Sequence, residues 1–318
     1  MAHNQTFSHF LNFLAGTALC ICLLACSGKN KPAQPEPFKL PEIPTFITDF
    51  EGQAAYIAAH FWDHFNFNDT LGISQIEKEI QMLLPNYVSA FNYIDKSLVD
   101  KSITETLKKA EVEESGIMYA AFIEKFKHYL YDPNSPFRNE DFYITVLEYT
   151  IASEKTEYAT RERAKFDLET AMKNRIGNKA ANLTYTLASG KTGTLYGIQS
   201  PYTLILFYNP DCHSCEETIN RLKASPVITE SIKAKKIALL AFYPDQDLEI
   251  WKKHLADIPA EWINGYDKDR ETESKQLYDL KAIPTLYLLD ADKQVLLKDV
   301  PDHVLEEYLM KILYYSIF

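Results

Sequence analysis

The sequence has no block of basic residues. Its 33 Lys and Arg are outnumbered by 44 Asp and Glu, giving a net charge of −11. Without clustered cations there is nothing to track a phosphate backbone, which excludes nucleic acid as a partner. Nor is the apolar run from Phe10 to Ala25 long enough to be assigned as a membrane-spanning helix, which needs about 20 residues. There is a single Cys-x-x-Cys pair, Cys212 and Cys215, and no second one to complete a four-cysteine zinc site. His60 and His64 stand one helical turn apart, a metal-compatible spacing, but no third ligand accompanies them, so no metal is expected. What is present is a globular composition, 46% hydrophobic and 24% charged, in a chain of 318 residues that allows two domains.

The N-terminus reads as targeting rather than fold. The apolar run ends in Leu23-Leu24-Ala25-Cys26. This resembles a bacterial lipoprotein signal, although residues 1–25 lack a basic segment. The resemblance implies removal of residues 1–25, lipid on Cys26, and a chain anchored to a membrane of the cell envelope, facing the periplasm. Cys20 and Cys22 would leave with the signal, so only Cys212 and Cys215 would remain as thiols. The envelope outside the inner membrane is oxidising, and disulfides persist there. Residues 26–47 carry five prolines between Pro32 and Pro44 and read as an extended spacer.

Residues 48–176 read as a helical domain. Tyr119, Phe122, Ile123, Phe126, Tyr129 and Leu130 recur at three- and four-residue steps and fall on one helical face. Further helices are expected near Gly52–Phe65, Ser74–Ile94, Asp141–Ala152 and Thr160–Ile176, with breaks at Asn66–Gly72 and at Asp132–Pro136. The aromatic residues predict a packed core. The alternative is a groove that presents substrates, with Phe61–Asp69 as its best candidate.

Residues 180–318 change character. A β-hairpin is expected from Leu183–Leu187 and Thr194–Tyr196 around Ser189-Gly190-Lys191. An apolar strand follows at Tyr202–Tyr208, then Cys212–Cys215 and a helix through Leu222. Next come a strand at Lys236–Tyr243, helical segments at Leu248–Leu255 and Thr272–Tyr278, strands at Pro284–Leu289 and Val295–Val300, and a last helix at His303–Tyr314. This alternation predicts an α/β fold, a mixed central sheet flanked by helices, following an all-α domain.

Two thiols three residues apart at a strand-to-helix junction can close and reopen a small disulfide ring, and a helix N-terminus favours the thiolate of the first. A disulfide across two residues removes little chain entropy, so stability is a weak reason for the pair. With the strand–Cys-x-x-Cys–helix unit, the hairpin before it and Ala282-Ile283-Pro284-Thr285 about seventy residues after it, residues 180–318 resemble a thioredoxin-like domain. The whole chain resembles envelope-anchored thioredoxin-like lipoproteins of the TlpA and ResA type that carry a helical domain of unknown function.

The resemblance implies roles. Cys212, at the helix N-cap, is the nucleophile that attacks a substrate disulfide. Cys215, more buried, resolves the mixed disulfide. Ile283–Pro284 is a cis turn beside the thiols, whose backbone pairs with an extended substrate. His213 would favour the Cys212 thiolate and Asp211 would oppose it. Leu206 stands where many thioredoxins bury an acid that takes the second thiol's proton. Glu216 and Glu217 are candidate replacements, although acids in a first helical turn more often serve the helix dipole. The activity implied is thiol–disulfide exchange, more in the direction of reduction, with no cofactor beyond the redox-active dithiol/disulfide. The partners implied are disulfide-containing envelope proteins, an upstream thiol electron donor and the membrane that holds the lipid. A peroxidase is disfavoured by Asn209 and Ile205, where peroxiredoxins carry Thr and Pro. The remaining alternative is a non-catalytic binding lipoprotein whose helical domain recruits a partner and whose cysteine pair is structural or vestigial.

Overall fold

The computed structural model describes residues 38–68 and 73–314. The expected signal, the lipidation site Cys26 and the linker as far as Pro37 lie outside the described residues. Helices come first: α1 (Phe50–His60), α2 (Ile73–Ser89), α3 (Lys96–Ala110), α4 (Ile117–Leu130), α5 (Glu140–Ala152) and α6 (Tyr158–Ala171). Asp49 starts α1 by accepting the Gly52 N–H at 2.7 Å, and Asn139 starts α5 by accepting that of Phe142 at 3.2 Å. Helix α2 contains Pro85, which has no N–H for the carbonyl of Gln81. The Tyr129 hydroxyl, from α4, donates to that carbonyl at 2.9 Å instead.

The core of this half is aromatic. Phe61, Trp62, Tyr87, Phe91, Phe122 and Phe126 are all buried, and the Trp62 and Phe122 rings meet edge to face at 5.0 Å. Phe65 and Phe67 join them. The rings of the segment weighed as a groove are therefore spent on the packed core that the aromatic residues predict, and the groove alternative is corrected. Helix α3, which sequence reading passed over, packs against α1, α4 and α5 through Val99, Ile103 and Leu107.

The second half is a seven-stranded mixed sheet ordered β2-β1-β5-β4-β3-β6-β7. Its strands are β1 (Thr184–Leu187), β2 (Thr192–Thr194), β3 (Tyr202–Phe207), β4 (Ile237–Tyr243), β5 (Ile263–Tyr266), β6 (Thr285–Leu289) and β7 (Val295–Lys298). Strands β3, β4 and β5 are parallel, while β6 pairs antiparallel with β3. Helices α7 (His213–Ala224), α8 (Pro226–Lys233), α9 (Leu248–Lys253), α10 (Glu271–Ser274) and α11 (Asp302–Tyr314) complete it. Because side chains alternate along a strand, Leu204 and Leu206 of β3 face α7 and α11, while Ile205 and Phe207 join Leu195, Tyr278 and Tyr287 on the other face. The helical segment expected to reach Tyr278 stops after one turn, because Gln276 turns to φ +47°. The second arm of the hairpin is Thr192–Thr194, earlier than expected, and residues 195–197 form a 3-10 turn.

Both halves, from Leu40 onward, belong to one compact unit. Charged side chains tie them together. Arg138 pairs with Asp299 at 2.8 Å, and Lys298 reaches Glu140 at 2.7 Å and the carbonyls of Lys173 and Ala171 at 2.8 and 3.2 Å.

Candidate active site: the Cys212–Cys215 pair

Strand β3 delivers the chain to the site at its carboxyl end. Asn209 shapes the turn: its carbonyl accepts the Cys212 N–H at 3.2 Å and its side chain accepts that of Asp211 at 3.1 Å. Cys212 is the N-cap of α7, with extended backbone (φ −100°, ψ 114°), and its sulfur accepts the N–H of Cys215 at 3.3 Å. A thiol so placed occupies one of the donors that a helix start leaves without an intrahelical partner.

The two sulfurs live in different surroundings. Both are free thiols, Cys212 half-buried and Cys215 fully buried. Burial pushes the Cys215 thiol up to about 12, and its hydrogen bond to Cys212 works in the same direction. The backbone N–H of Asn209, 3.5 Å from the Cys215 sulfur, opposes this weakly. Beneath the pair, Leu206 is buried in the apolar cluster that also holds Cys215, Ile219 and Leu222.

The opposite wall is the segment before β6. The Ile283–Pro284 peptide is cis. The Ile283 carbonyl lies 3.6 Å from the Cys212 sulfur, and the Thr285 hydroxyl holds the turn by donating to the Ala282 carbonyl at 2.6 Å. Cys212, Cys215, Ile283 and Pro284 are thus gathered in one place from two regions of the chain.

The other expected site residues spread outward. His213 is 83% exposed, with Glu217 at 3.3 Å and Glu216 at 3.9 Å. The two glutamates therefore face His213 on the helix surface, where both are exposed. Asp211 is exposed and has His254 at 3.7 Å, which is itself 2.7 Å from Asp257. Sequence reading missed His254: it follows α9, about forty residues from the pair, and no motif marks it. In the helical half, His60 pairs with Asp63 at 2.7 Å, and no group of three metal-ligating side chains occurs among the described residues.

Comparisons with known proteins agree with this architecture. Residues 6–174 match a domain of unknown function (DUF5106), and residues 200–295 match a thioredoxin-like domain. A thioredoxin-like protein from Bacteroides caccae ATCC 43185, whose crystal structure is known, is 45% identical, with 87% of this chain and 99% of that one covered and a TM-score of 0.82. The C-terminal domain of an uncharacterized protein from Bacteroides fragilis NCTC 9343 is 56% identical over 43% of this chain and 97% of that one, with a TM-score of 0.42. No curated protein matches.

Proposed function

We propose, from the premise that this chain belongs to the family of thioredoxin-like proteins with an N-terminal DUF5106 domain, that it is a thiol–disulfide oxidoreductase working through Cys212 and Cys215. The observation that carries the reading is the asymmetry of the pair: a half-buried sulfur at a helix N-cap, beside the Ile283 carbonyl, backed by a fully buried thiol. The Cys212 thiolate attacks one sulfur of a substrate disulfide. The Cys212–substrate bond forms, the substrate S–S bond breaks, and the other substrate sulfur leaves as a thiolate. Cys215 then passes its proton to the substrate thiolate already released and attacks the Cys212 sulfur, closing the ring and releasing the second substrate sulfur, which takes from solvent the proton that Cys212 gave up on ionising. The substrate has gained two electrons and two protons, and the protein pair has lost them. An external dithiol returns them by the reverse exchange, and no cofactor is needed.

The substrates on this reading are disulfide-containing proteins of the cell envelope, with reduction as the forward direction. The chain is held there by lipid on Cys26, a reading supported by the Leu23-Leu24-Ala25-Cys26 sequence. The test is turnover and trapping. Cys212→Ala is expected to abolish reduction of insulin by a dithiol, and Cys215→Ala to accumulate mixed disulfides with envelope proteins. Unchanged turnover together with no trapped partner would sink the catalytic reading in favour of a binding protein.

A further inference from the structure

The turn that faces Cys212 is gripped by the helical domain on both flanks. Ahead of it runs the segment 277–281. The Asn174 side chain, from the chain that leaves α6, donates to the Leu277 carbonyl at 2.8 Å. The Tyr131 hydroxyl lies 3.4 Å from Asp279. Lys281, two residues before Ile283, has its ammonium 3.3 Å from Glu140 of α5, 2.8 Å from Asp279 and 3.8 Å from the centre of the Tyr131 ring. Its side chain is only 10% exposed. A cation held by two carboxylates and an aromatic face, largely out of water, has few other places to go.

The far flank is held the same way. Strand β6 begins at Thr285, and the Leu286 carbonyl accepts the N–H of Asp299, just beyond β7. Asp299 is paired to Arg138, and its neighbour Lys298 to Glu140. Glu140, in the first turn of α5, therefore touches a lysine on each side of the turn. An isolated thioredoxin-like domain would have neither attachment.

We propose that the helical domain acts as a clamp on the substrate-facing turn, with Lys281 and Glu140 as its positioning residues. The assembly sets where the Ile283 backbone stands relative to Cys212, and so how an extended polypeptide beside the disulfide is registered on the site. This rests on the reading of Cys212 and Cys215 as the redox pair. The cargo it favours is a disulfide within an extended polypeptide, since a small disulfide needs no backbone registration.

The test uses the full chain with Lys281→Met, Lys281→Arg and Glu140→Gln. Lys281→Met and Glu140→Gln are expected to raise KM for a disulfide-bonded peptide about tenfold, with kcat within about twofold and a small aromatic disulfide reduced at the wild-type rate. Amide exchange over residues 277–286 is expected to quicken about tenfold, while β3 and β4 exchange unchanged. Lys281→Arg, which keeps the cation, is expected to restore both. Wild-type KM and exchange in Lys281→Met would overturn the clamp, as would equal losses on peptide and small disulfide. Amide exchange separates the two readings: a chain without turnover whose turn still loosens in Lys281→Met retains the clamp and loses the oxidoreductase.

Discussion

The sulfur of Cys212 lies 3.6 Å from the carbonyl oxygen of Ile283, a residue 71 positions away in sequence. In the reduced chain the thiol donates to that carbonyl, while the same sulfur accepts the Cys215 N–H. On the proposed mechanism, Cys212 bonded to a substrate sulfur has no hydrogen left to donate. The Ile283 carbonyl is then free to accept an N–H from an extended peptide, the pairing used when a strand is added to an exposed edge. The proposed nucleophile and the backbone proposed to face the peptide would thus share one acceptor, used in turn.

The two thiols are expected to separate cleanly in alkylation. With its thiol raised to about 12 by burial, Cys215 stands almost wholly protonated at pH 7. Iodoacetamide at neutral pH should therefore label Cys212 and spare Cys215, as mapped by mass spectrometry, with Cys215 labelled only after unfolding. The linkage has a definite sign. The folded value stands above the thiol's ordinary value of 9.0, so the stabilisation is complete below pH 9 and is lost as pH rises through about 12. An adduct on Cys215 in the folded chain at pH 7 would contradict this.

Lys298 offers a test of the joint between the halves. Its side chain is 8% exposed, and burial alone would lower its pKa, which the Glu140 carboxylate opposes. One carboxylate and two carbonyls take up its three donors. Lys298→Met removes the cation and leaves those carbonyls without this donor. The expected loss is about 3 kcal/mol in urea unfolding, the scale for breaking one side of a buried pair. A loss below about 0.5 kcal/mol would mean that the contact behaves as a surface ion pair.

Two glycines should respond differently to alanine, because one tyrosine side chain lies against both. A Cβ on Gly265 would stand 2.9 Å from the Tyr185 Cβ, and one on Gly193 would stand 2.5 Å from the ring tip. The first neighbour is fixed to the backbone, whereas the second can swing. Each substitution is expected to lower stability by about 1–3 kcal/mol. Only Gly193→Ala should be relieved when Tyr185→Ala is added, because alanine keeps the Cβ that Gly265→Ala meets. Thermal melts of the two double variants decide it.

Much of this was legible in the chain, and the losses have physical reasons. Strand β3 and its cysteines were plain because an apolar run buried on both faces stops at Asn-Pro-Asp and turns into a helix. Strand β5 was missed because Ile263-Asn264-Gly265-Tyr266 has little strand propensity. It pairs because β4 and β1 lie on either side, and its glycine is required by Tyr185. Helix α3 was missed although Val99, Ile103 and Leu107 repeat every fourth residue, since the lysines and acids between them hid the stripe. Helix α8 carried an open signal, Ser225 before Pro226, a cap followed by proline in the first turn. The ties of Glu140 to Lys281 and Lys298 span more than 140 residues and follow from no local pattern.

The proline of α2 provides the sharpest check on local bookkeeping. Pro85 leaves the Gln81 carbonyl without its helical N–H, and Tyr129 supplies a hydroxyl in its place. Tyr129→Phe alone is expected to lower stability by about 0.5–1 kcal/mol, the net worth of one hydrogen bond at a partly hydrated carbonyl. Pro85→Ala restores an N–H at that point and should stabilise through the better helix propensity of alanine. In the double variant the hydroxyl competes with an N–H already in place, so removing it should have little effect. The double-mutant cycle should therefore show a coupling of about 0.5 kcal/mol between two residues on different helices. A coupling of zero in urea unfolding would mean that water, not Tyr129, satisfies the Gln81 carbonyl.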